Sequence, residues 1–173
     1  IKVSNPFVIT RAIEKKIKPT VKSGTYTYNG KSREVQISGF DSTTMEINGN
    51  TQADVGNYTV VITLKDPTKH QWTDGTTGSV TLNWKIVPKE VSVTWGDVTS
   101  FTYNGSPQAP TASADSGISG ETLNITRTTE VSAGTHTSTA SIASVSGGRG
   151  KTSNYVLTNA TTEFTINKKA IQK

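Results

Sequence analysis

The sequence predicts an all-β chain of two tandem β-sandwich domains set end to end as an elongated rod. Three observations carry this. Tyr28-Asn29-Gly30 returns as Tyr103-Asn104-Gly105, 75 positions later, with the same order of apolar and turn residues around each copy. Self-similarity at a fixed offset is the mark of a tandem array. Apolar and polar residues alternate in short runs, the period of strands with one buried face. Turn residues interrupt those runs at the spacing of sandwich strands.

Composition supports the same class. At 173 residues the chain suits one or two domains. The repeat divides it into units of roughly 80 residues, each long enough for a modest core. Hydrophobic residues make up 32%, low for a globular chain, and Thr is abundant where Leu is scarce, which suits a pleated surface. The absence of cysteine excludes disulfides, thiolate metal sites and cysteine nucleophiles together. The net charge is +5, and much of the positive charge sits early, in Arg11, Lys15, Lys16, Lys18, Lys22, Lys31 and Arg33. Such a run attracts anionic polymers. Dispersed along a strand and its flank, however, it reads as a solvated surface, and no nucleic-acid partner is expected. No apolar run reaches the length of a membrane span, so no membrane insertion is expected. The chain reads as a segment of a longer protein.

Residues 1–12 read as the closing strand of an upstream repeat, or as a lead-in strand that imitates one. Phe7 and Ile9 share a face, as do Trp84 with Ile86 and Phe164 with Ile166. The first repeat spans 13–88. Ile17, Pro19 and Val21 share one side of its first strand. Tyr26 and Tyr28 alternate into Asn29-Gly30, a type I′ turn signal. Val35 with Ile37 and Met45 with Ile47 mark two further strands, bounded by Gly39 and Asn48-Gly49. Tyr58, Val60, Ile62 and Leu64 mark the longest, which Asp66-Pro67 breaks. Val80, Leu82, Trp84 and Ile86 close the unit.

The second repeat spans 89–173. Val91, Val93 and Trp95 stand where Ile17, Pro19 and Val21 stood, and Phe101 with Tyr103 repeats Tyr26 with Tyr28. A three-residue insertion then shifts the offset to 78, at which Leu123 and Ile125 match Met45 and Ile47, and Gly134 matches Gly56. Ser146 to Gly150 reads as a flexible loop. The link Val87-Pro88-Lys89-Glu90 contains Pro and no Gly or Ser, the composition of a semi-rigid spacer.

Tyr28-Asn29-Gly30, Gly56-Asn57-Tyr58 and Trp84-Lys85-Ile86 in the first unit resemble the pattern of bacterial immunoglobulin-like surface repeats of the MBG or YDG type. So do Tyr103-Asn104-Gly105, Ala133-Gly134, Asn154-Tyr155 and Phe164-Thr165-Ile166 in the second. The chain departs from that pattern at His136, where it has Tyr, and at Gln71-Trp72, where it has Asn-Tyr. The resemblance implies immunoglobulin-like sandwiches in large exported proteins of the bacterial surface, without catalytic residues. Independently, Asp54-x-Gly56-x-Tyr58 followed by Val60 has the form of a tyrosine corner, whose hydroxyl bonds back to upstream backbone. Tyr28, Gly30, Gly56, Tyr58, Tyr103, Gly105 and Gly134 are therefore read as structural, and His136 as packing in the place of a tyrosine.

Little in the chain suggests chemistry. His70 and His136 fall in different units, so no Ser-His-acid set assembles. No pair of carboxylates stands out for glycoside hydrolysis. Asp115 and Glu121 are too few acids for a calcium loop. Gly148-Arg149-Gly150-Lys151-Thr152 imitates a phosphate-binding loop, but Val145 stands where the first Gly belongs and no helix pattern follows. No catalytic residue, metal or cofactor is expected. A Lys–Asn isopeptide crosslink would need a buried Lys, a facing Asn and a neighbouring acid; lysines near the first strand and Asn83 in the last are candidates by position. Aromatic rings bind sugars by stacking, and Trp72, Trp95 and Tyr26 are the candidate ligand-binding residues. The plainer reading is that all three pack within the sandwiches.

The function expected is that of non-enzymatic stalk or spacer repeats of an extracellular bacterial protein, surface-bound or secreted and an adhesin by class, with neighbouring repeats as partners. One alternative is an adhesin module that binds a host glycan or protein through exposed aromatics. The other is an accessory domain of a secreted enzyme.

Overall fold

The computed structural model describes residues 11–171. The closing strand read over 1–12 falls almost wholly outside them. Among the described residues the chain is all-β, with one short 3₁₀ turn, Thr152–Asn154. No described helix is long and apolar enough to cross a membrane. In chain order the strands are β1 (Glu14–Lys16), β2 (Thr20–Ser23), β3 (Thr25–Thr27), β4 (Arg33–Glu34), β5 (Gln36–Ser38), β6 (Met45–Asn48), β7 (Thr51–Gln52), β8 (Gly56–Leu64), β9 (His70–Trp72) and β10 (Val80–Val87). They continue as β11 (Lys89–Ser92), β12 (Thr94–Trp95), β13 (Ser100–Thr102), β14 (Ala112–Ser113), β15 (Thr122–Arg127), β16 (Gly134–Ser146), β17 (Tyr155–Thr158) and β18 (Thr161–Asn167). Between β10 and β11 stands Pro88 alone.

Contacts divide the chain into two compact units. One holds the described residues up to Thr25 together with Arg33–Gln52 and Gly56–Lys85. The other holds Tyr26–Ser32, Ala53–Val55 and the chain from Ile86 onward. Short stretches around Tyr28 and Asp54 thus pack with residues far ahead of them in the chain.

Two four-stranded sheets share one pattern. Their orders are β3-β10-β8-β6 and β13-β18-β16-β15. In each, the strand that leads to Tyr-Asn-Gly lies beside the closing strand, then comes the longest strand, then an edge. In the second sheet β13 runs parallel to β18, and the other pairs are antiparallel. The opening strands behave alike too: β1 runs parallel to β9 and β11 parallel to β17. The next pairs, β2 with β5 and β12 with β14, are antiparallel. Alternation explains the faces. Val60, Ile62 and Leu64 of β8 are all buried, and the register sets Leu64 opposite buried Met45 and Ile62 opposite Ile47. In the second unit Phe164 and Ile166 of β18 form a buried cluster with Ala109, and Phe101 packs on it.

The early basic residues are partly neutralised by local acids. Lys16 pairs with Glu14 at 2.8 Å and Asp41 at 3.6 Å, and Lys18 with Asp74 at 2.6 Å. Asp41, Asp66 and Asp74 each accept the backbone N–H and the hydroxyl of the Thr two residues on, a recurring Asp-x-Thr turn.

The Tyr-Asn-Gly turns differ from the type I′ expectation. Gly30 and Gly105 have φ of 75° and 79°, but Asn159 is the one described non-glycine residue at positive φ. A type I′ turn needs positive φ at both central positions. Instead, the Asn29 and Asn104 side chains accept the N–H of Lys31 and Ser106, which closes an Asx turn. The physical reason is topological: β3 pairs with β10 and not with β4, so there is no two-residue hairpin to close.

The glycine two places before Tyr58 is required by space. A Cβ on Gly56 would stand 2.8 Å from the Tyr58 hydroxyl, because the ring folds back over the upstream backbone. Tyr58 also lies 5.2 Å from the Trp84 ring at 42°. In the second unit His136 does the same. Its Nε2 donates to the Ser132 carbonyl at 2.8 Å, and its ring lies 5.6 Å from Phe164 at 41°. The departure from tyrosine at position 136 therefore keeps a ring folded back over the upstream backbone.

Candidate functional site: a buried carboxylate between two tyrosines

The densest polar arrangement within the second unit centres on Glu121, which is 7% exposed. The loop before it aims the side chain inward. Buried Ser116 donates its hydroxyl to the Glu121 carbonyl at 2.6 Å, and the Glu121 N–H bonds the Ile118 carbonyl. Tyr28 donates to Oε1 at 2.7 Å, Tyr155 to Oε2 at 2.5 Å, and the Arg149 N–H to Oε1 at 3.3 Å. The two phenol rings meet edge to face, 5.5 Å apart at 77°, an attractive geometry for aromatic quadrupoles.

Gly148 is what lets the following loop close over this group. Its φ is +51°, and a Cβ there would stand 2.3 Å from the Glu121 Cγ. The stretch Ser146 to Gly150, expected to be flexible, is thus seated on the carboxylate. Thr152–Asn154 then leads directly into β17.

A second set of contacts continues from the first. Asn154 is fully buried. Its amide donates to Asp54 Oδ1 at 3.1 Å, and its oxygen accepts the Val55 N–H at 3.0 Å. Asp54 also meets Lys151 Nζ at 2.6 Å and Arg149 Nε at 3.9 Å.

The electrostatics follow from these contacts. Burial pushes the Glu121 carboxyl up, but hydrogen bonds from Tyr155, Tyr28 and the Arg149 backbone outweigh it and hold the group below its ordinary range. Burial first, and then the Glu121 carboxylate, push the Tyr28 phenol up to about 12. The same causes raise Tyr155. For Asp54 the Lys151 hydrogen bond is the largest influence, and the carboxyl lies below its usual value. The carboxylate therefore stays ionised and both phenols stay protonated across the neutral range. The cluster is a fastening: both Glu121 oxygens are occupied, and the two phenols that reach them keep their protons.

Alkaline unfolding should expose this coupling. A phenol whose folded pKa lies above its unfolded value of about 10 adds stability that is fully present below that pH. The contribution disappears as the pH rises towards the Tyr28 value of about 12. Stability should fall by up to about 1.4 kcal/mol per pH unit for each phenol in that window. Urea midpoints measured against pH, with tyrosinate absorbance followed in parallel, check this. Tyr28→Phe should flatten the slope.

Of the residues chosen from the sequence, Tyr28 enters this cluster and is 1% exposed. Its sequence match, Tyr103, does not pack likewise and is 41% exposed. Gly105, unlike Gly30, would meet nothing within 4 Å with a Cβ added. Trp72 is fully buried, with its indole N–H donated to the Gly78 carbonyl at 2.7 Å, and has no face for a sugar. Trp95 and Tyr26 are half-buried. Trp95 donates its indole N–H to the Asn159 carbonyl at 2.9 Å. Asn83 is exposed, outside the apolar setting that an isopeptide crosslink requires. Lys151, Asp54 and Asn154 do bring the three residue types together. There the lysine side chain is 55% exposed and ion-paired, the setting of a solvated ammonium and not of a nucleophilic amine.

In the sequence Glu121 stands only as an acid too isolated for a calcium loop. The one signal that could have marked it is the run of glycines at 147, 148 and 150, which leaves room for a side chain arriving from elsewhere. Among the described residues no group of three or more His, Cys, Asp or Glu is placed to hold a metal ion. No protein-family model matches the chain, and no curated protein matches its sequence.

Proposed function

We propose that the chain is a pair of tandem immunoglobulin-like β-sandwich repeats, arranged as a rod. It would serve as non-enzymatic stalk or spacer of a bacterial surface or secreted protein of the adhesin type. The observation that carries this reading is the recurrence of one strand plan: the same four-strand order, with the same parallel pairing of the opening strand, appears twice. Two further features support it. The most elaborate polar cluster closes on itself and leaves no carboxylate oxygen for a substrate. The sequence also keeps its turn and aromatic marks in register with the bacterial surface repeats it resembles.

The competing reading is a glycan- or protein-binding adhesin module. It would rest on Trp95 and Tyr26, since Trp72 is enclosed. A glycan array probed with the chain, together with small-angle scattering, tests the choice. The expected result is an elongated particle that binds no glycan. Reproducible binding that disappears in Trp95→Ala would overturn the spacer role. A compact scattering envelope would overturn the rod.

A further inference from the structure

The second unit has an open groove of about 930 Å³ lined by Tyr103, Ser132, Ala133 and the segment Lys168–Ile171. Its residues match a second set in the same unit. At an offset of 75, Tyr103 corresponds to Tyr28. At 78, Val131-Ser132-Ala133 corresponds to Ala53-Asp54-Val55. Phe164-Thr165-Ile166 follows Trp84-Lys85-Ile86 by 80 positions, and at that offset Ile171 corresponds to Val91.

The matched residues differ in one respect: one set is covered and the other is not. Tyr28, Ala53 and Val91 are 1%, 8% and 5% exposed. Tyr103, Val131 and Ile171 are 41%, 39% and 92% exposed. What covers the first set is explicit. Glu121 and Tyr155 take Tyr28, the Asn154 amide oxygen takes the Val55 N–H, and Leu157 of β17 pairs with Val91. Three apolar residues left bare at positions that are buried in their counterparts constitute an unfilled seat. Its charge fits the same occupant. Lys168 and Lys169 line the groove beside the Tyr103 phenol, and both lysines and phenol complement a carboxylate. Ser132 stands where Asp54 does, so the contact to expect is carboxylate to phenol and not the Lys151 ion pair.

We propose that this groove seats another repeat of the same build, continuing in line after Ile171 and presenting a carboxylate like that of Glu121 and a ring like that of Tyr155 to Tyr103. The assignment rests on the tandem-repeat reading above. It adds which residues receive the neighbour and which chemistry the neighbour must bring. A bare phenol, two lysines and an isoleucine then have one explanation: they are half of a joint whose complete form is already built around Tyr28.

The test is a lengthened protein in which residues 1–171 are followed directly by a second copy of 92–173, so that Ile171 takes the place of Val91. Tyrosine Cζ carbons are labelled and titrated by NMR. In the lengthened protein the Tyr103 signal should titrate at higher pH than in the 173-residue chain, because the same burial and the same carboxylate contact that raise Tyr28 would then act on it. Glu→Gln at the copied position 121 should remove the part of that shift that the carboxylate supplies, and leave the part due to burial. Tyr28 in the same sample shows that the original joint is intact. Tyr103 titrating alike in both proteins while Tyr28 keeps its raised value would overturn the proposal. So would a concentration-dependent shift in the 173-residue chain alone, which would assign the groove to a second molecule. Neither result depends on whether a glycan binds, so failure of this joint and failure of the spacer role are separable.

Discussion

Glu121→Ala is expected to destabilise the second unit by about 3–5 kcal/mol. The carboxylate is nearly enclosed and accepts from two buried phenols and one backbone N–H. Its removal strands both hydroxyls away from water, at about 1–3 kcal/mol for each unsatisfied donor. A cavity under Gly148 adds to the loss. Glu121→Gln should fall between wild type and alanine, because an amide keeps one acceptor oxygen and turns a donor towards the second phenol. Urea unfolding of the three proteins measures the series. Combining Tyr28→Phe with Glu121→Ala should recover part of the loss, since one stranded hydroxyl is then gone, and strict additivity would argue against the shared bond. An alanine variant as stable as the parent would mean that the phenols find other partners.

Trp72→Ala carries the second large effect, a loss of about 3–5 kcal/mol in the first unit. The indole is wholly buried, its N–H is donated to the Gly78 carbonyl, and the residue pairs with Lys16 at the end of β1–β9. Trp72→Phe keeps most of the volume and loses the donor, so a smaller loss of about 1–2 kcal/mol is expected. Thermal unfolding followed by fluorescence and circular dichroism separates the variants. Alanine tolerated without loss would show that the ring is not part of the core.

The period of the chain made its strand class legible, since alternation of Val60, Ile62 and Leu64 or of Phe164 and Ile166 has no other economical meaning. Glycines at turns were legible for the same local reason: Gly30, Gly49, Gly75 and Gly105 all sit at positive φ. The kind of turn at Tyr-Asn-Gly was not legible, because it depends on which strand lies beside β3. The different fates of Tyr28 and Tyr103 were hidden more deeply. Local sequence makes them equal, and only the chain that arrives from residues 121 and 155 makes them differ. Glu121 stayed hidden for the same cause. Its position aligns with Thr43 at the offset of 78, so repetition argued against a special role there. The fold of Tyr58 and His136 back onto upstream backbone lay between these cases: the motif named the first, and geometry was needed to show that an imidazole serves the second.

The wide separation of the fastened residues bears on how the chain is made. Tyr28 meets Glu121 across 93 positions, and Asp54 meets Asn154 across 100. A ribosome adding about 5–20 residues per second reaches the later partner some 5–20 s after the earlier one. During that interval the stretches 26–32 and 53–55 have left the ribosome with none of their final neighbours from positions 121 to 155. A nascent chain from which Tyr28 has emerged and Glu121 has not would therefore display Tyr28 without the carboxylate that covers it in the finished fold.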